Sequence, residues 1–170
     1  MIGGRNERKL RGGDGPRDKG RSLREVSMTV ASILREKGRD VLTTQPHRTL
    51  KEVAALLAAK GVGAVVVSDA AMSVLGIISE RDLIRAIAAH GAAALDDPVS
   101  RHMTAKVVTV AENDTVDHVM ATMTNGRFRH APVVEGGRLA GIVSIGDVVK
   151  HRLREMEHDS AAMRDYILTA

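Results

Sequence analysis

Residues 41–69, VLTTQPHRTLKEVAALLAAKGVGAVVVSD, lie over residues 107–135, VVTVAENDTVDHVMATMTNGRFRHAPVVE, at a constant offset of 66 without a gap. Val41/Val107, Thr43/Thr109, Thr49/Thr115, Val53/Val119, Ala55/Ala121 and Val67/Val133 are identical pairs. One residue is then lost where AAMS faces GGR. At the new offset of 65, GIISERD (Gly76–Asp82) meets GIVSIGD (Gly141–Asp147), matching at Gly76/Gly141, Ile77/Ile142, Ser79/Ser144 and Asp82/Asp147. Turns tolerate a change of one residue, so this is an internal duplication. The chain of 170 residues has room for two small units sharing a core of roughly 100–150 residues.

Each copy reads as strand, helix, strand, strand, helix. DVLTT and KVVTV are short β-branched runs. Thr49 with Glu52 forms a capping box opening a helix whose apolar face is Leu50, Val53, Ala54 and Leu57, and Gly61 ends it. Val116, Val119, Met120 and Met123 repeat that face. AVVVS and APVVE are continuous apolar strands, followed by VLGIIS and LAGIVS. Helices over about 81–89 and 146–157 close the copies, and short leading segments, TVASILREKG (29–38) and DDPVSRHMT (96–104), precede them. Met103, Met120 and Met123 read as core filling.

With no cysteine there is neither a disulfide frame nor a thiol nucleophile, so apolar burial must carry the fold. No apolar run nears the roughly 20 residues of a membrane span. The expectation is a soluble, cytoplasmic chain. The net charge of +4 resides in residues 1–25, with eight Lys/Arg against four Asp/Glu, which leaves 17 of each sign in residues 26–170. The Gly-rich basic segment 1–27 reads as a disordered tail, either a solvated extension or an arm for RNA or a membrane surface. The neutral body is not expected to bind nucleic acid or membrane.

The doubled β-α-β-β-α pattern, both copies ending in Gly-aliphatic-aliphatic-Ser-x-x-Asp, resembles a tandem pair of cystathionine-β-synthase (CBS) domains. GAVVVSD, RHAPVVE and HMTAKVVTV add to the resemblance, which covers residues 29 to about 155. It implies an α/β (α+β) fold: two CBS repeats, 28–95 and 96–155, packed with pseudo-two-fold symmetry, then a C-terminal helical extension over 156–170. It also implies a regulatory binder of adenosine nucleotides, AMP foremost, with ADP, ATP, an NAD-type ligand or S-adenosylmethionine as alternatives. Phe128 and Tyr166 are the only aromatics. The base would therefore lie between aliphatic side chains and pair its edge with backbone groups.

In the family each cleft takes Ser-x-x-Asp from one repeat and its base-facing wall from the other. Carried over, the first site joins Ile77, Ser79, Arg81 and Asp82 with Thr104, Val107, Val108, Phe128, Arg129, His130 and Ala131. The second joins Ile142, Ser144, Gly146 and Asp147 with Asp40, Val41, Leu42, Val62, Gly63 and Ala64. Asp at a helix start can accept from both ribose hydroxyls, or it can simply cap the helix with its Ser. Arg81, Arg129 and His130 make the first site the better anion site, since Gly146, Gly63 and Ala64 stand at the matching places. His130 can equally be a buried structural histidine.

No metal-ligand spacing, nucleophile elbow or Walker loop occurs, so no enzyme is expected. The alternative is an assembly module with vestigial clefts. Either form would signal through an effector protein or its own oligomer. Val149, Leu153, Met156, Met163, Tyr166 and Ile167 form a broken stripe at helical spacing, to be covered by folding back or in a homodimer.

Overall fold

The computed structural model describes residues 28–169; the basic segment 1–27 lies outside them. The order is α1 (Val30–Lys37), β1 (Thr43–Thr44), α2 (Leu50–Lys60), β2 (Ala64–Ser68), β3 (Val74–Ser79) and α3 (Glu80–His90). A 3-10 turn (Ala92–Asp96) leads to α4 (Val99–His102), α5 (Val116–Gly126), β4 (His130–Glu135), β5 (Arg138–Ser144) and α6 (Ile145–Thr169). The expected α/β duplication is present, with α6 running unbroken through the C-terminal extension.

The elements form for the reasons legible in the chain. Glu52 N–H donates to Thr49 Oγ1 at 3.2 Å and Thr49 N–H to Glu52 Oε2 at 2.8 Å, closing the capping box of α2. Leu50, Val53 and Leu57 are buried on one face of α2, and Val116, Val119 and Met123 on the same face of α5. Gly61 and Arg127 end these helices in the left-handed region, at φ 64° and 54°. β2 pairs antiparallel with β3, and β4 with β5.

One expected strand is reduced. In the first copy β1 runs parallel to β2, where Val66 N–H donates to Leu42 C=O at 3.2 Å. The residue matching Val66 is Pro132, which has no N–H to offer the Val108 carbonyl. KVVTV therefore contributes only an isolated parallel bridge, Val110 to Val133.

The leading helices are exchanged between the copies. Val30, Ile33 and Leu34 of α1 are buried with Val116, Val119, Met123, Ala131, Val133 and Val143 of the second copy. Val99 of α4, with Met103 beside it, packs with Leu50, Val53, Leu57, Val65 and Ile78 of the first. The backbone follows the same exchange: Val30 N–H donates to Asp114 C=O and Val116 N–H to Met28 C=O, both at 2.9 Å. Its counterparts are Leu50 N–H to Asp97 C=O at 3.0 Å and Val99 N–H to Arg48 C=O at 2.7 Å. Neither core is complete without a helix from the other repeat.

This exchange explains the glycine of Gly-aliphatic-aliphatic-Ser-x-x-Asp. A Cβ at Gly141 would stand 2.8 Å from Leu34 Cδ2, and one at Gly76 would stand 2.6 Å from Met103 Sδ and 3.0 Å from Thr104 O. Both glycines are the floor on which the other copy's leading segment sits. Gly141→Ala is expected to cost about 1–3 kcal/mol by overpacking, measured by urea unfolding. Combining it with Leu34→Ala should cost less than the two single changes summed, because the larger side chain is then gone.

Candidate nucleotide cleft

The turns from β3 into α3 and from α5 into β4 face each other across the repeat boundary, together with the segment after α4. Between them lies a cleft of about 590 Å³ lined by Ile77, Ser79, Arg81, Asp82, Thr104, Val107, Val108, Phe128, Arg129 and His130. Ten of the eleven residues assigned to the first site thus line one cavity. The eleventh, Ala131, faces the second core and is fully buried there, because alternate residues of β4 point to opposite faces.

Ile77 is placed by a reciprocal backbone pair with Thr104, N–H to C=O at 3.0 Å one way and 2.9 Å the other. That pair ties the motif strand to the opposite wall. Ser79 and Asp82 sit at the start of α3: Ser79 N–H donates to Asp82 Oδ2 at 2.9 Å and the Ser79 hydroxyl to the same oxygen at 2.7 Å. Asp82 Oδ1 is 4.0 Å from Arg85 Nη1. One carboxylate oxygen therefore caps the helix, and the other is turned to the cation beside it. Capping and ligand binding use different oxygens and are compatible.

Sequence reasoning missed five lining residues, Glu80, Arg85, Lys106, Gly126 and Arg127, and assigned a sixth, Gly63, to the other site. Gly63 C=O accepts from Glu80 N–H at 3.0 Å, which draws the start of β2 into the first cleft, and a Cβ at Gly63 would lie 3.5 Å from His130 Cε1. Arg127 was hidden because its counterpart is Gly61, a cap position that ordinarily carries no chemistry. Lys106 and Arg85 stand outside the motif: the loop after α4 brings Lys106 in, and Arg85 enters from α3, one turn beyond Asp82.

The second site is arranged differently. Ser144 N–H donates to Asp147 Oδ2 at 2.8 Å, and Asp147 N–H to Ser144 Oγ at 3.2 Å. Lys37 of the exchanged helix α1 places its Nζ 2.6 Å from that same Asp147 oxygen. Burial by itself would raise the Asp147 carboxyl, but the Lys37 ammonium and the Ser144 hydrogen bonds outweigh it, leaving a pKa below the usual carboxylate value. Leu42 and Val62 pack against the first core, Ala64 is buried but on the strand face opposite the core residues Val65 and Val67, Val41 and Ile142 are half-buried, and Asp40 and Gly146 are exposed.

His130 lies at the partition between the two sites. Its pKa is lowered, first by burial and then by Lys37, with Arg129 adding to the effect; Asp147 and Glu80 pull the other way. The folded chain therefore prefers the neutral imidazole. Above the ordinary histidine pKa of about 6.5 this contribution to stability is complete; it is lost as pH falls through the lower folded value, where the unfolded chain binds the proton first. His130→Gln should flatten that part of the acid limb in urea midpoints measured against pH. An unchanged slope would contradict the burial assigned to His130.

A duplicated β-α-β-β-α unit with exchanged leading helices and a cleft between its copies defines a tandem-repeat module. The CBS domain model matches residues 30–89 and 99–154, and the chain belongs to the CBS-domain family as a tandem pair. The crystal structure of the CBS-domain containing protein ATU1752 from Agrobacterium tumefaciens is similar over 74% of this chain and 99% of its own, at 54% identity and a TM-score of 0.72. The CBS domain protein PAE2072 from Pyrobaculum aerophilum, complexed with AMP, is 30% identical over 71% of this chain and 89% of its own, with a TM-score of 0.63. The CBS domain pair of MJ0100, in complex with 5-methylthioadenosine and S-adenosyl-L-methionine, is 26% identical over 73% of this chain and 94% of its own, with a TM-score of 0.66. The mitochondrial protein CBSX3 of Arabidopsis thaliana is 31% identical over 83% of this chain. The alignments span 66%, 72%, 62% and 48% of four curated relatives, each extending beyond the matched part.

Proposed function

We propose that the chain is a non-enzymatic regulatory module that binds an adenosine nucleotide in the cleft between Asp82 and Arg129. The observation that carries this reading is the convergence, in one cavity, of three complementary features. Ile77, Val107 and Val108 offer aliphatic surface for a base, and Phe128 lines the same cavity. Asp82, with one oxygen left over from capping, suits a ribose diol. Arg81 and Arg129 suit phosphate. The AMP held by a structural relative supports the ligand class. AMP is the smallest ligand that would use all three features.

Titration calorimetry with AMP, ATP, NADH and S-adenosylmethionine tests the reading. Saturable binding of an adenosine phosphate, and weaker binding of bare adenosine, is expected. A flat response to every adenosine compound would leave the assembly module with vestigial clefts as the correct description, and turnover of a bound nucleotide would overturn the non-enzymatic reading.

A second copy of the chain is the partner we propose for the outer faces of α3 and α6. Ile84 is 67% exposed and Leu153 56%, and farther along α6 Met163 and Ile167 are 62% and 66% exposed. The extension therefore does not fold back onto its own module. Light scattering should give a dimer at micromolar concentration; a monomer would overturn the proposal.

A further inference from the structure

The duplication supplies an internal control for the charge in the cleft. Five cations line it: Arg81, Arg85, Lys106, Arg127 and Arg129. At the matching places of the second site stand Gly146 and Lys150 of the second copy and Asp40, Gly61 and Gly63 of the first, and Lys150 is already 3.5 Å from Glu36. The repeat fold thus does not require a cation at four of the five places, since their counterparts are Gly146, Asp40, Gly61 and Gly63.

Nor does the protein neutralise them. Arg48, Arg101, Arg152 and Arg154 elsewhere each hold a carboxylate. In the cleft only Arg85 approaches one, at 4.0 Å from Asp82; among the described residues the cationic groups of Arg81, Lys106, Arg127 and Arg129 have no hydrogen-bond or ion-pair partner. Against five positive charges the lining offers Glu80 and Asp82, a surplus of three. A single phosphate carries up to about two negative charges, and Arg81 with Arg129 would meet it. Lys106 and Arg127 remain.

Arg127 adds a second, independent observation. It caps α5 at φ 54°, in the left-handed region where its counterpart is Gly61 at φ 64°. A non-glycine held there is strained, and such strain gathers at functional sites.

We infer that the cleft takes an adenosine ligand bearing two or more phosphates, with Arg127 and Lys106 holding the phosphates beyond the first. This rests on the nucleotide reading above and deepens it. Arg127→Gly is the discriminating variant, because glycine suits the backbone while the cation is removed; no loss of folding is expected from it.

The experiment is calorimetry on the full chain with ATP, ADP, AMP and inorganic tripolyphosphate in magnesium-free buffer, for the wild type and Arg127→Gly, with thermal melts alongside. ATP should bind at least about tenfold more tightly than AMP, with the advantage shrinking in high salt. Arg127→Gly should remove most of that advantage, change AMP affinity less than about twofold, and leave the melting temperature unchanged or higher. AMP binding as tightly as ATP, or an ATP-to-AMP ratio untouched by Arg127→Gly, would overturn the inference while leaving the nucleotide reading intact. Tripolyphosphate binding as tightly as ATP, with no response to AMP, would instead overturn the nucleotide reading itself.

Discussion

Replacing Leu34 by alanine is expected to destabilise the folded chain by about 2–5 kcal/mol, the usual range for emptying a buried leucine site. Leu34 belongs to the first repeat in sequence, yet it is 1% exposed and sits in the core of the second, against Gly141. A helix that served only as a surface leader would give a small effect. Leu153→Ala, on the exposed side of α6, is the control and should change stability by less than about 0.5 kcal/mol in the monomeric unit. Because each core borrows a helix from the other copy, urea should unfold both together in one transition. A biphasic curve in which Leu34→Ala moves only one phase would contradict the interdependence of the cores.

The second large effect is expected at Asp82. Its carboxylate, which lines the cleft, takes two hydrogen bonds from Ser79 through one oxygen and has the other 4.0 Å from Arg85. Asp82→Ala should lower nucleotide affinity by the loss of charge-assisted hydrogen bonds, about 1.5–3 kcal/mol, or about tenfold to somewhat over a hundredfold. Loss of the cap should cost a further 0.5–2 kcal/mol or so in stability. Asp147→Ala should show the stability loss without the affinity loss, since Lys37 already neutralises that carboxylate and Gly146, Gly61 and Gly63 stand where the first site has Arg81, Arg127 and Arg129. Calorimetry and thermal melting of both variants separate the two roles. Equal losses of affinity in the two would refute the assignment of unequal sites.

Much of this was legible in the chain because it is written twice. The constant offset exposed both helical faces, both hairpins and the Ser-x-x-Asp capping geometry, all of which depend on local spacing. The exchange of α1 and α4 was not legible. Ile33 and Leu34 are apolar residues with helical spacing wherever they pack, and nothing local says which core they enter. The missing strand of the second copy had a signal that went unread: Pro132 stands where Val66 donates its N–H. In the cleft, the motif residues could be placed by comparison of the copies, whereas Lys106 and Arg127 depend on how segments from different repeats meet; Arg85, three residues after Asp82 on α3, was open to helical spacing and went unread. Ala131 was misjudged by one step of strand alternation beside His130.

The central claim is that a nucleotide binds in the first cleft, between α3 and the turn into β4. Amide-resolved NMR of the full chain during titration with AMP tests it most directly. The account predicts saturable shifts gathered at residues 63, 77–82, 104–108 and 126–130, with residues 40–42 and 144–147 changing little. Shifts centred on Asp147 and its neighbours, or along α6, or no shifts at millimolar AMP, would contradict it.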